Sequence, residues 1–170
     1  RITILRNNTH TTINVEGVKH VGEGGLLGAA LHPDFKVNKY IYLYFTTEDS
    51  GKLSNKIYRY TLEDYKLLDE TFILEGIRGS SNHDGGRIAF GPDNLLYITT
   101  GDAEEPNSAQ DTKSLNGKIL RINDDGSIPP DNPFSNPVYS YGHRNPQGIT
   151  WDDNGNLWAT EHGPSGFNTG

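Results

Sequence analysis

Cysteine and methionine are both absent from this 170-residue chain. Without cysteine there is no disulfide framework, no thiolate zinc site and no cysteine nucleophile, so any metal must sit on oxygen or imidazole. The same absence leaves the compartment open between cytosol and periplasm. Long apolar runs are missing as well: nothing approaches the roughly 18 to 20 consecutive apolar residues of a membrane-spanning helix, and no membrane span is expected. Basic charge is scarce, with 15 Lys and Arg against 22 Asp and Glu and a net charge of −7. The polyelectrolyte attraction behind most nucleic-acid affinity is therefore lacking, and no nucleic-acid partner is expected. An initiator methionine is also missing at Arg1, as expected of a processed or excised product from which an export signal could have been cleaved.

Glycine and turn residues are plentiful, with 20 Gly and 9 Pro. Short apolar runs bounded by Gly, Pro, Asn or Asp predict strands at Lys39–Thr46, Asn55–Leu62, Gly86–Phe90, Leu95–Thr100, Lys118–Ile122, Gly148–Trp151 and Leu157–Glu161, with a further strand around Phe72–Leu74. Glu63–Lys66 reads as a hairpin connection. The segment GGLLGAALHPDFKVNKYIYLYFT returns as GGRIAFGPDNLLYITTGD and as NPQGITWDDNGNLWATEHG, and aligning Ile41, Leu96 and Leu157 gives separations of 55 and 61 residues. Such a repeat, near the period of about 40 to 50 of propeller blades, predicts an all-β fold of blade-like units near 22–75, 80–122 and 137–170. Closed propellers have about four to eight blades, so about three leave uncovered faces on the first and third copies. Ile41, Leu43, Leu96, Ile98, Leu157 and Trp158 are expected to line those faces. They imply either a homodimer or a missing C-terminal half.

The motifs GEGGLLGAALHPDF (22–35), NHDGGRIAFGPDNLLYITTGD (82–102), NGKILRINDDGSIPPDNPF (116–134), YGHRNPQGI (141–149) and EHGPSG (161–166) together resemble the soluble quinoprotein aldose (glucose) dehydrogenases. The resemblance runs in family order from residue 22 to 166 and covers only the family's N-terminal half. It implies a six-bladed β-propeller that holds pyrroloquinoline quinone and calcium at the mouth of its channel. The implied reaction is oxidation of an aldose at C1 to the lactone, with electrons passed to an external acceptor. A periplasmic or extracellular location is implied too.

Carried over residue by residue, the resemblance makes His83 the catalytic base and Asp102 the carboxylate that orients it. Imidazole titrates near working pH, and a carboxylate on its second nitrogen fixes the tautomer. Read alone, His83 caps a turn and Asp102 steadies the loop after its strand. Arg144 and Asn145 in HRNPQG would meet the cofactor, Arg144 also the substrate; alone, Arg144 is a turn arginine paired with a nearby acid. Gly163 and Pro164 would hold calcium through backbone carbonyls, which calcium accepts; alone, Gly-Pro is an ordinary turn. Glu23 stands where glucose-specific members carry glutamine and Asn82 where they carry aspartate. Both would line the sugar site, so substrate preference is expected to differ. EHGPSG is followed by FNTG in place of the family's acidic run, and Arg144 would face the cofactor's three carboxylates without the cations of the family's other half, inside a chain of net charge −7. NDDG at 123–126 and DDNGN at 152–156 read as hairpin turns, and His32 as part of an HPDF turn. Two other classes stay open: a half-propeller fragment or binding module without catalysis, and a propeller hydrolase of the lactonase kind needing several carboxylates or amides around calcium.

Overall fold

The computed structural model describes residues 1–163, so Pro164, one of the two residues expected to hold calcium, lies outside the described residues. The strands, in chain order, are β1 (Ile2–Arg6), β2 (Thr9–Ile13), β3 (Leu26–Leu31), β4 (Tyr40–Asp49), β5 (Lys52–Glu63), β6 (Lys66–Arg78), β7 (Ile88–Phe90), β8 (Leu96–Thr100), β9 (Lys118–Ile122), β10 (Val138–Tyr141), β11 (Pro146–Trp151) and β12 (Leu157–Glu161). Among the described residues two short helices, α1 (Phe35–Asn38) and α2 (Pro106–Gln110), interrupt them, and these strands form four antiparallel sheets: β1-β2, β3-β4-β5-β6, β10-β9-β8-β7 and β11-β12. Val138–Tyr141 pairs with β9, so the second sheet runs past the repeat boundary drawn at residue 122. The turn at 63–66 closes a register of Glu63 opposite Lys66, with Asp64 and Tyr65 both left-handed (φ 45° and 61°), the geometry that a tight hairpin demands.

Strand β4 shows why the sheets stack. Alternate residues point to opposite faces, and both of its faces are apolar. Tyr42 and Tyr44 join Ile57, Ile73 and Ile77 against Ile88, Leu96, Ile98, Leu120, Ile122 and Val138 of the second sheet, forming one buried core. Ile41, Leu43 and Phe45 face the other way, into a second core with Tyr60, where Ile2, Val15 and Val18 cover them. The expected open faces are thus corrected for the first sheet: Ile41 and Leu43 lie under the N-terminal segment, and Leu96 and Ile98 lie between the sheets. Trp158 remains 60% exposed on β12.

Polar clasps hold the second sheet and its junction with the first. Arg121 binds Asp93 and Asp131 at 3.0 Å each. Burial works against its charge, but the bonds to Asp131 and Asp93 outweigh it and raise the guanidinium pKa further. The two turns read from sequence meet here: His32 stacks on Tyr42 and lies 3.4 Å from the Asp124 carboxylate, while the Tyr42 hydroxyl donates to the Asp124 carbonyl at 2.9 Å.

Candidate active site

The site grows from the TTGD end of β8. Gly101 lies so close to the loop before β7 that a Cβ there would fall 1.7 Å from the His83 carbonyl oxygen, so only glycine lets the two segments meet. That approach brings His83 Nδ1 to 2.8 Å from Asp102 Oδ1. Asp102 is 4% exposed. Its Oδ1 also accepts the Glu104 N–H at 3.0 Å, and its own N–H donates to the Arg144 carbonyl at 2.8 Å. The Ala103 N–H donates to the His83 carbonyl at 3.1 Å, closing the loop on itself.

The remaining expected residues gather around this pair. Glu23 Oε2 accepts the His83 N–H at 2.9 Å and lies 3.4 Å from the Asn145 amide nitrogen. Asn145 Oδ1 accepts the Gly85 N–H at 3.0 Å, and Asn145 is 1% exposed. Its carboxamide is thus spent on buried loop contacts. Asn82 donates to Glu104 Oε1 at 3.2 Å. Bonds from Ser80, Asn82 and Ser81 hold the Glu104 carboxyl below its ordinary range. Arg144 Nη1 reaches the His162 carbonyl at 3.5 Å, and Arg144 lines a cleft of about 570 Å³ with His83, Asp102 and Glu104. Gly163 is exposed, with open space where a Cβ would stand.

Three features are not visible in the sequence. Lys118 is wholly buried and donates to the carbonyls of Ser108, Ala109 and Asn116 at 2.8, 3.0 and 2.6 Å, fixing α2 along the cleft. His143 joins Ser140 Oγ (2.8 Å) to Glu161 (2.9 Å), tying the segment before Arg144 to the end of β12. Asp84, next to His83, is buried among Tyr44, Asn55 and Ser80. No spacing rule links such distant partners. The Lys that opens the KILRI strand, which also carries Arg121, is a weak signal for the first.

The cleft suits a planar, acidic cofactor in size, since small-molecule sites span about 300 to 1,000 Å³, and Arg144 supplies a planar donor fork in its wall. Gly163 is exposed and can offer its carbonyl oxygen, a donor type calcium accepts. Among the described residues no group of three or more His, Cys, Asp or Glu is placed to hold a metal.

A family model described as glucose/sorbosone dehydrogenase matches residues 1–168. The chain is 39% identical to quinoprotein glucose dehydrogenase B of Acinetobacter calcoaceticus over 85% of its own length and 37% of that protein's. It is 38% identical to the aldose sugar dehydrogenase YliI of Escherichia coli, over 85% of this chain and 42% of the relative. Among solved structures, the PQQ-bound aldose sugar dehydrogenase of Streptomyces coelicolor overlays with a TM-score of 0.84 at 46% identity, covering 88% of this chain and 46% of that one. A putative oxidoreductase (glucose dehydrogenase) of Thermus thermophilus gives 0.92 at 44% identity, covering 97% and 52%. The all-β sheets therefore match part of a larger fold, and the chain spans about two-fifths of the curated relatives' length.

Proposed function

Since the chain belongs to the glucose/sorbosone dehydrogenase family, we propose that it serves a calcium- and pyrroloquinoline quinone-dependent oxidation of aldose sugars at C1 to lactones, with electrons passed to an external acceptor. Its four sheets then contribute about three blades of a six-bladed propeller. Residues beyond this segment, or a second copy, complete the ring and the site. The observation that carries the reading is the 2.8 Å contact between His83 Nδ1 and Asp102.

With Nδ1–H donated to a buried carboxylate, the lone pair of His83 is left on Nε2. That nitrogen accepts the proton of the sugar's anomeric hydroxyl as hydride departs from C1. When bound, the quinone would supply the two-electron acceptor and calcium a Lewis acid. Asp102 stabilises the imidazolium that results and holds the ring in place. Glu23 and Asn82, beside His83, select among sugars, and Arg144 meets the acidic cofactor and the substrate, with Asn145 next to it. Gly163 and Pro164 hold calcium through their carbonyls. No helix among the described residues is long and apolar enough to cross a membrane, and a periplasmic or extracellular location is proposed from the family.

The test is direct. Calcium and the quinone are added, and dye reduction is followed with a panel of aldoses; turnover supports the reading, and its absence with full-length protein overturns it. The exposed Trp158 on a two-stranded sheet favours a second reading, in which this segment alone is an inactive half-propeller or binding module. In that case the isolated chain binds no quinone while the longer protein does.

A further inference from the structure

Among the described residues, one buried side-chain oxygen has no hydrogen-bond partner: Oδ2 of Asp84, a residue 2% exposed. Leaving such an atom unpaired costs about 1 to 3 kcal/mol, so its retention needs an explanation. The other oxygen is engaged twice. Oδ1 accepts the Ser80 N–H at 3.1 Å and the Asn55 amide at 2.7 Å. Asn55 Oδ1 in turn accepts the Thr46 hydroxyl at 2.7 Å, and the Asp84 carbonyl accepts the Tyr44 hydroxyl at 2.9 Å. Ser80 and Asp84 bracket the loop 81–83, so this side chain closes the loop on itself while β4 and β5 pin it to the first sheet.

The loop needs such a closure. His83 sits in the left-handed region at φ 61°, where an L-residue is disfavoured by about 1 kcal/mol or more and stays only if its surroundings impose it. Gly24 makes the space: a Cβ there would stand 2.9 Å from Thr46 Oγ1 and 3.2 Å from Asp84 Oδ2.

Resting on the reading of His83 as proton acceptor, we propose that Asp84 is a positioning residue, which through Oδ1 fixes the left-handed turn that presents His83 to Asp102. Burial raises the carboxyl's pKa against the lowering bonds of Asn55 and Ser80, with the nearby Glu23 and Glu104 carboxylates adding to the rise. The bonds that close the loop all run to Oδ1, which serves as an acceptor. The amide of an asparagine offers the same acceptor.

The experiment compares Asp84→Asn, Asp84→Ala and Tyr44→Phe in the quinone-free protein, by hydrogen exchange of the Ser80 amide and by the His83 ring-nitrogen NMR signals. Asp84→Asn is expected to keep the wild-type His83 signals and to exchange at Ser80 no faster than wild type. Asp84→Ala should speed Ser80 exchange by about tenfold or more and erase the Asp102-bonded Nδ1–H signal of His83, as loss of about 1.4 kcal/mol implies. Should Asp84→Ala not fold, Tyr44→Phe, which removes one hydroxyl, is expected to shift both readouts the same way by several-fold. Wild-type signals in Asp84→Ala, or in Tyr44→Phe if the former cannot be made, overturn the proposal, as does an Asp84→Asn protein as perturbed as the alanine variant. In protein that turns over sugar, Asp84→Ala should lower kcat about tenfold with KM within about threefold, restored by asparagine. Absent turnover in wild type removes only the dehydrogenase reading, because the NMR and exchange comparison does not depend on it.

Discussion

The His83 side and the Arg144 side of the site are built differently. His83, Asp102 and Asp84 lie at the junction of two four-stranded sheets, where Asp84 and Asp102 are 2% and 4% exposed and the N–H groups of His83, Asp102 and Ala103 are all hydrogen-bonded. Arg144 and Gly163 flank β11 and β12, a two-stranded sheet whose outer strand carries exposed residues at four of five positions. The proposed proton transfer demands a fixed geometry, which packing around His83 provides; the proposed cofactor site demands an opening, and Arg144 and Gly163 stand at the open edge.

The contrast can be broken first at the base. His83→Ala is expected to lower turnover by about 10² to 10⁴ while quinone binding, followed by fluorescence titration, survives. Loss of binding together with turnover would mean that the two sides are not separable. Next is Lys118→Met, which leaves three buried carbonyls without their cation. A loss of about 2 to 4 kcal/mol in denaturant unfolding is expected, with α2 loosened along the cleft.

A third measurement concerns pH. The Asp84 carboxyl has a raised pKa in the folded protein, chiefly through burial, so folding binds a proton there. Its contribution to stability is complete below the unfolded value of about 3.9 and is lost as pH rises through the raised folded value. Asp84→Asn should therefore be more stable than wild type at neutral pH, and the advantage should vanish below about pH 4. An advantage independent of pH would show that Asp84 does not titrate between the two states. The smallest effect is expected at the open edge: Trp158→Ala should change stability by less than about 1 kcal/mol in this chain, since the ring is already largely in water.

The strands that carry the cores are legible because their alternation and flanking Gly, Pro and Asn are local signals; β4, β5, β8 and β9 lie close to the bounds expected of them. The hairpin β1-β2 is not among the expected strands, though its left-handed Asn7 and Asn8 form the Asn-rich turn that marks such a connection. Its threonine-rich second strand has too little apolar contrast to stand out. The short β10 escapes for a similar reason, being four residues behind a proline. At the site, the motifs lead to His83 and Asp102, which the structure brings into contact. They give no access to the Thr46–Asn55–Asp84 chain, whose members are polar residues on two strands of the first sheet and in the loop before β7, meaningful only once that loop is packed on the sheet.

The separation of partners along the chain also sets an order of assembly. His83 and Asp102 are 19 residues apart and can meet as soon as the hairpin between them forms, whereas Glu23 reaches Asn145 across 122. Closing the longer loop costs about 1.6 kcal/mol more in chain entropy. On loop-closure entropy alone, the contact between His83 and Asp102 is expected to form before that between Glu23 and Asn145, so that Glu23, proposed to select among sugars, is fully seated later.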